Sequence, residues 1–248
     1  MSPGTRALLA PFVAVVGLGL ALGGCTYREA GPPEAHFKEF DAKPPKADSV
    51  TVCHAYGCKA QTQFTFTAND IAELSLVMMS VPRDDSAREE RRALAHAIGW
   101  MERRVAPAVG TATDRPSMDF RGSGDRSQQD CVDEATNATS YLLVLDRHGL
   151  IRRHAVERPF AKDAVGRWTH WAALVRDKDS GELFAIDSSA SANGENPTVQ
   201  SAASFYVPDS GADLKPPETG VYAATDAGAR PPGAGVLSYG ANGTASLR

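Results

Sequence analysis

The chain has 248 residues, 26 Lys and Arg against 30 Asp and Glu, and a formal charge of −4. No basic stretch is free of acids, which argues against a nucleic-acid partner. The length allows one good-sized hydrophobic core, or a core with tails.

The first segment reads as a targeting signal. Arg6 supplies a positive start, residues 7–22 are almost wholly apolar, and Leu22-Gly23-Gly24-Cys25 follows. This resembles a bacterial lipoprotein signal peptide with its lipobox, which implies cleavage of residues 1–24 and lipidation of Cys25. The apolar run is short for a spanning helix. An uncleaved membrane anchor is the alternative. Thr26 stands where an inner-membrane retention signal usually carries Asp, which favours the outer membrane. Either way the body is expected in the cell envelope, facing the periplasm. Cleavage leaves 224 residues. Residues 25–48, with Gly31-Pro32-Pro33 and Lys43-Pro44-Pro45-Lys46, read as a tether.

Residues 49–52 and 61–66 are strand-like and flank Cys53-His54-Ala55-Tyr56-Gly57-Cys58. In an exported protein a small-loop disulfide between Cys53 and Cys58 is the default. A metal site of Cys53, His54 and Cys58 lacks a fourth ligand, and the order is wrong for c-type haem attachment. That leaves Cys131 unpaired, as a reactive thiol or one half of an intermolecular bridge. Asn69 or Asp70 caps a helix running to Val81, and Pro82 stops it. Ser86 and Glu89 form a capping-box pattern. Leu94, Ile98, Met101 and Val105 then follow helical spacing, which predicts an amphipathic helix over 86–105 ended by Pro107 and Gly110. Arg88, Arg91, Arg92, Arg103 and Arg104 alternate with Glu89, Glu90 and Glu102, as on a solvated face. His96 lies beside the apolar stripe, at the surface or its boundary.

Residues 111–129 are polar and read as a loop of a length that is often functional. A helix follows from Cys131 to His148, with Val132, Ala135, Thr139, Leu142 and Leu145 along one side and Gly149 as its C-cap. His148, in the last turn, suits the helix dipole. Residues 151–156 read as a strand. The runs 167–175, containing His170, and 182–187, ending in Asp187, form a hairpin about the turn 178–181. Beyond 190 the chain is rich in Gly, Ala, Ser and Pro. Residues 204–207 suggest an edge strand, and residues 208–248 a disordered tail. Together these elements predict an α+β domain over 49–207, with helices packed on an antiparallel sheet.

Cys131, His170 and Asp187 carry the chemistry. A helix N-terminus lowers a thiol's pKa, because free N–H groups and the dipole favour negative charge. His170 is placed to take the proton, and Asp187 to hold the imidazole from its other nitrogen. The backbone N–H of Cys131 is an oxyanion donor, with Gln128 or Gln129 as side-chain candidates. Trp168 and Trp171 would wall the site. Each member also has an ordinary reading: a buried small apolar cysteine, a packed histidine, a turn-capping aspartate.

The order cysteine at a helix start, histidine on a strand, aspartate on the next strand resembles the transglutaminase-like branch of the papain-like fold. Asp130-Cys131-Val132-Asp133-Glu134-Ala135 resembles the D-C-x-D-x-A run of bacterial transglutaminase-like cysteine proteinases, over residues 86–190. The resemblance implies a periplasmic enzyme cutting or transferring amide bonds of a peptide, protein or cell-wall substrate. Some relatives use calcium and carry a second acid directly after the cysteine. Val132 stands there in this chain, which argues against calcium. An inactive envelope lipoprotein using the same fold for binding is the alternative.

Overall fold

Five α-helices, one short 3-10 helix over 120–122 and two antiparallel sheets make up the regular structure of the described residues, 31–116, 120–162 and 169–206, of the computed structural model. Cys25, Trp168, the signal segment and the tail expected over 208–248 lie outside them. Helix α1 (Glu34–Glu39) comes first, then the hairpin β1 (Ser49–His54) and β2 (Ala60–Thr65). Helices α2 (Ala68–Ser80) and α3 (Ala87–Val109) follow, then α4 (Cys131–Arg147). The main sheet is β3 (His154–Lys162), β4 (His170–Asp177), β5 (Leu183–Asp187) and β6 (Thr198–Ser201), in that spatial order, and α5 (Ala202–Tyr206) closes the described chain. The expected α+β architecture, helices packed on antiparallel sheet, is what is found.

Local chemistry sets the helix ends. Ser86 accepts the N–H of Glu89 and starts α3, and Gly110 ends it at φ 90°, a left-handed conformation that suits a residue without Cβ. Leu94, Ile98, Met101 and Val105 are at most 1% exposed, as their spacing predicts. The helix runs four residues further than expected because Pro107 lies in the last turn, where one missing N–H bond is tolerable. Helix α2 is capped by Thr67 rather than by Asn69 or Asp70. Thr67 and Asp70 exchange capping-box bonds, so Asp70 is the third helical residue.

The sheet is covered on both faces at its centre. Along β4, Ala173 and Val175 face the core shared with α3 and α4, joined there by Ile186 and Val199. The alternate residues Ala172 and Leu174 meet Phe160, Ala185, Ala202 and Phe205. Such two-sided burial explains the unbroken apolar run from Trp171 to Val175. Strand β3 lies at the edge, and Pro159 falls where its register shifts between Glu157 and Phe160.

Three expectations are corrected. The stretch expected to be a bare tether contains α1, whose His36 and Phe37 are 0% and 2% exposed. It belongs to the folded body because His36 and Phe40 pack on the Trp171 ring at 5.2 Å. Arg91 is not on a solvated face. It is buried, 3.0 Å from His154 and 3.6 Å from the centre of the Phe184 ring. The final strand is 198–201, and 202–206 is helical, because Ser201 accepts the N–H of Ser204 and turns the chain. Among the described residues no helix is long and apolar enough to cross a membrane.

Candidate active site

Cys131 is the first residue of α4. Asp130 caps the helix by accepting the N–H of Asp133 at 3.0 Å, and the Asp133 carboxylate reaches back to the N–H of Asp130 at 3.2 Å. This capping box fixes the direction in which the Cys131 side chain leaves. It is itself held by the Cys53–Cys58 loop, which is closed by a disulfide as expected. Ala55, Tyr56, Gly57 and Cys58 all have φ between 57° and 70°. This winding turns successive N–H groups to one side. Tyr56 and Cys58 donate to Asp133 at 2.8 and 2.6 Å, and Gly57 donates to Asp130 at 3.1 Å. The loop is thus a cradle of N–H donors for the two acids around the thiol.

That cradle bears on metal binding. The Asp130 and Asp133 oxygens with known partners face donors, the opposite of what a cation needs. Cys53, Cys58 and Asp133 have ligand atoms within 4.8 Å of one another. With the sulfurs bonded to each other they are not thiolate ligands.

Strand pairing brings His170 and Asp187 together. Ala173 pairs with Ile186, so continuing the register sets Asp187 beside Ala172, two residues along the same face from His170. The imidazole Nε2 lies 2.8 Å from Asp187 Oδ2. Ser189 donates its N–H and its hydroxyl to Asp187 Oδ1 at 3.1 and 2.8 Å. Burial alone would raise the Asp187 carboxyl, but His170 and Ser189 outweigh it and hold the group below its usual range. The Phe205 ring lies 5.4 Å from the imidazole, tilted by 34°. The loop after Asp187 is anchored to α3, where Glu102 accepts from the Ser188 hydroxyl and the Gly194 N–H, both at 3.0 Å. A Cβ on Gly99 would come within 2.9 Å of the Glu195 carbonyl, so only glycine allows this approach.

The sulfur of Cys131 lies 3.7 Å from the Thr169 carbonyl and takes the N–H of Trp171, so it sits against the backbone on both sides of His170. No hydrogen bond joins the sulfur to the imidazole in this arrangement. The expected lowering of the thiol pKa is not found either. Burial, with the charges of Asp130, Glu134 and Asp187, pushes it up to about 12. The helix terminus is outweighed because the Asp133 N–H is taken by Asp130, and the N–H that reaches the sulfur comes from Trp171 on β4. Acids dominate this region: burial raises Glu102 to about 7 and Asp114 to about 6, and raises Glu134 too.

Comparison with protein families, curated proteins and solved structures finds no match.

Gln128 and Gln129 are placed differently from expectation. The Gln129 amide donates to the Cys53 carbonyl and accepts from Asn193, both at 3.1 Å. The Gln128 amide donates to the Thr113 carbonyl at 3.0 Å and accepts the Arg115 N–H at 3.3 Å. The Gln128 amide thus closes the 111–129 loop, and the Gln129 amide ties the end of that loop to β1 and to the loop after β5. The backbone N–H of Cys131 remains the oxyanion candidate, since the first helical residue has no intrahelical acceptor. Trp171 does pack against Cys131, on the side away from the imidazole. His148 bonds Asp48 at 2.6 Å, and His96 lies 3.3 Å from the Asn196 amide, so neither belongs to the site. Sequence reasoning missed Ser189 and Phe205. The string Asp187-Ser188-Ser189 was a legible signal, because an aspartate readily accepts the N–H two residues on.

Proposed function

We propose that the chain is a thiol hydrolase or acyltransferase acting on amide bonds, with Cys131 as nucleophile, His170 as base and Asp187 as its orienter, on a papain-like fold of the transglutaminase type. The supporting observation is the part-buried His170–Asp187 pair, with the Cys131 sulfur against the backbone that flanks the histidine. Nε2 is committed to Asp187, which leaves Nδ1 for the thiol proton. The acids that raise the thiol do not forbid this step. Loss of a proton to solvent adds a negative charge among them. Transfer from sulfur to imidazole leaves the net charge unchanged. Bringing sulfur and imidazole into contact requires a movement from this arrangement, and catalytic contacts are often made only with substrate bound. The sulfur then bonds the carbonyl carbon, the Cys131 N–H meets the oxyanion, and the imidazolium protonates the departing amine. Water or a second amine resolves the thioester. The substrate is a peptide, envelope protein or cell-wall peptide, reached by a protein held at the envelope through lipidated Cys25. No cofactor enters these steps.

A second reading draws on the thiol itself. A buried, protonated sulfur suits an inactive fold that binds an envelope partner. An activated peptide ester separates the two. The hydrolase traps an acyl group on Cys131, seen by mass spectrometry, and His170→Ala reduces the trapping roughly a hundredfold. A binding protein shows no acylation above the level of Cys131→Ala.

A further inference from the structure

We propose that Ser189 is a positioning residue of the same site, a fourth member that sets the plane and charge of Asp187 and through it the imidazole. This rests on the triad reading above. A carboxylate on a strand end turns freely about its last bond unless both oxygens are held. Here Oδ2 meets His170 at 2.8 Å, while Oδ1 receives two bonds from one residue, the Ser189 N–H at 3.1 Å and its hydroxyl at 2.8 Å. Asp187 and Ser189 are 8% and 9% exposed, so water does not readily replace either bond.

The hydroxyl also lies 3.3 Å from His170 Nε2. Its hydrogen goes to Asp187, which leaves a lone pair toward the ring N–H. Ser189 therefore touches both members of the pair, and the ring hydrogen is held between two oxygens. That fixes the tautomer with Nδ1 bare, the form that can accept the thiol proton. Because its hydrogen is given to a carboxylate rather than to an imidazole acceptor, Ser189 is not a nucleophile. The backbone bond survives any substitution at 189, so the side chain's share is separable from the turn that carries it.

The test is the rate of Cys131 alkylation by iodoacetamide as a function of pH, on the full chain with Ser189→Ala, Ser189→Thr and His170→Ala, each checked by its melting temperature. Loss of one hydrogen bond to a charged group predicts about a tenfold slower reaction for Ser189→Ala near neutrality, with the profile displaced toward that of His170→Ala. Ser189→Thr keeps the hydroxyl and most of the rate. A drop in melting temperature without a displaced profile makes the residue merely structural and overturns the proposal. So does a Ser189→Ala profile that follows the parent while His170→Ala departs from it, an outcome that leaves the triad intact. If His170→Ala also follows the parent, the triad reading itself fails.

Discussion

Arg91 carries its charge into the interior, where its guanidinium lies between His154 at 3.0 Å, Asp177 at 3.4 Å and the Phe184 ring. Arginine only donates, so His154 Nε2 accepts and Nδ1 donates to Glu90 at 2.8 Å. Glu90 in turn accepts the backbone N–H groups of Arg152 and Arg153. Arg91→Ala removes one member and leaves Asp177 buried without its cation. We expect a loss of about 3 kcal/mol or more in urea unfolding, where an exposed arginine costs about 0.5 kcal/mol or less. The spacing of Arg91 among its neighbours looked like that of a surface residue, because its partners lie far along the chain. Cys131, His170 and Asp187 were legible because each sits at an element boundary with its own local signal. The state of the thiol was not, since it depends on Glu134, Asp187 and burial, which only the folded chain brings together.

The Cys53–Cys58 loop does at the scale of an element what no single residue does. Left-handed conformations at Ala55, Tyr56 and Cys58 cost on the order of 1 kcal/mol each, and such strain persists only where the surroundings impose it. The disulfide and the two carboxylates impose it here. Closing so short a loop contributes about 2 kcal/mol through the unfolded chain. We expect Cys53→Ala with Cys58→Ala to lose at least that amount by urea titration. Its Cys131 alkylation should also change, because the cap of α4 loosens. A stability loss with unaltered alkylation would mean that the cradle does not position the thiol. Helices α3 and α4 were readable from sequence because caps and apolar spacing are local. Helix α1 was hidden by flanking prolines and needs the Trp171 ring to fold against. The end of the sheet was misplaced because Ser201 diverts the chain through a hydroxyl bond that no strand pattern records.

Across the whole molecule, buried acids and buried histidines compete over pH. Burial raises Glu102 to about 7 and Asp114 to about 6. The folded chain therefore keeps protons that the unfolded chain has released, and stability falls as pH rises through that range. His36 acts in the opposite sense. Burial lowers it to about 4, so its contribution is complete above its ordinary 6.5 and lost as pH falls toward 4. Burial lowers His54 and His96 too, but Glu102 and Asp114 are joined by Glu134 and by Asp133, raised to about 8, and the acids outweigh the histidines. We expect the urea midpoint to fall between about pH 5 and about pH 7 by on the order of 2 kcal/mol in stability, and Glu102→Gln to flatten that fall. A midpoint that climbs steadily over this range contradicts the balance. The α+β class was legible at this scale from the alternation of helical and strand-like runs. The acidic interior was not, because Glu102, Asp114 and Glu134 read as ordinary polar positions until folding gathers them.

The account depends on a proton shared between the Cys131 sulfur and the His170 imidazole. Its most direct test is the pH profile of Cys131 alkylation in the parent chain and in His170→Ala. The account predicts that the parent reacts near neutrality at least about tenfold faster, with the two curves converging only at alkaline pH where the thiol ionises unaided. Superimposable curves, both rising only in the alkaline range, contradict it.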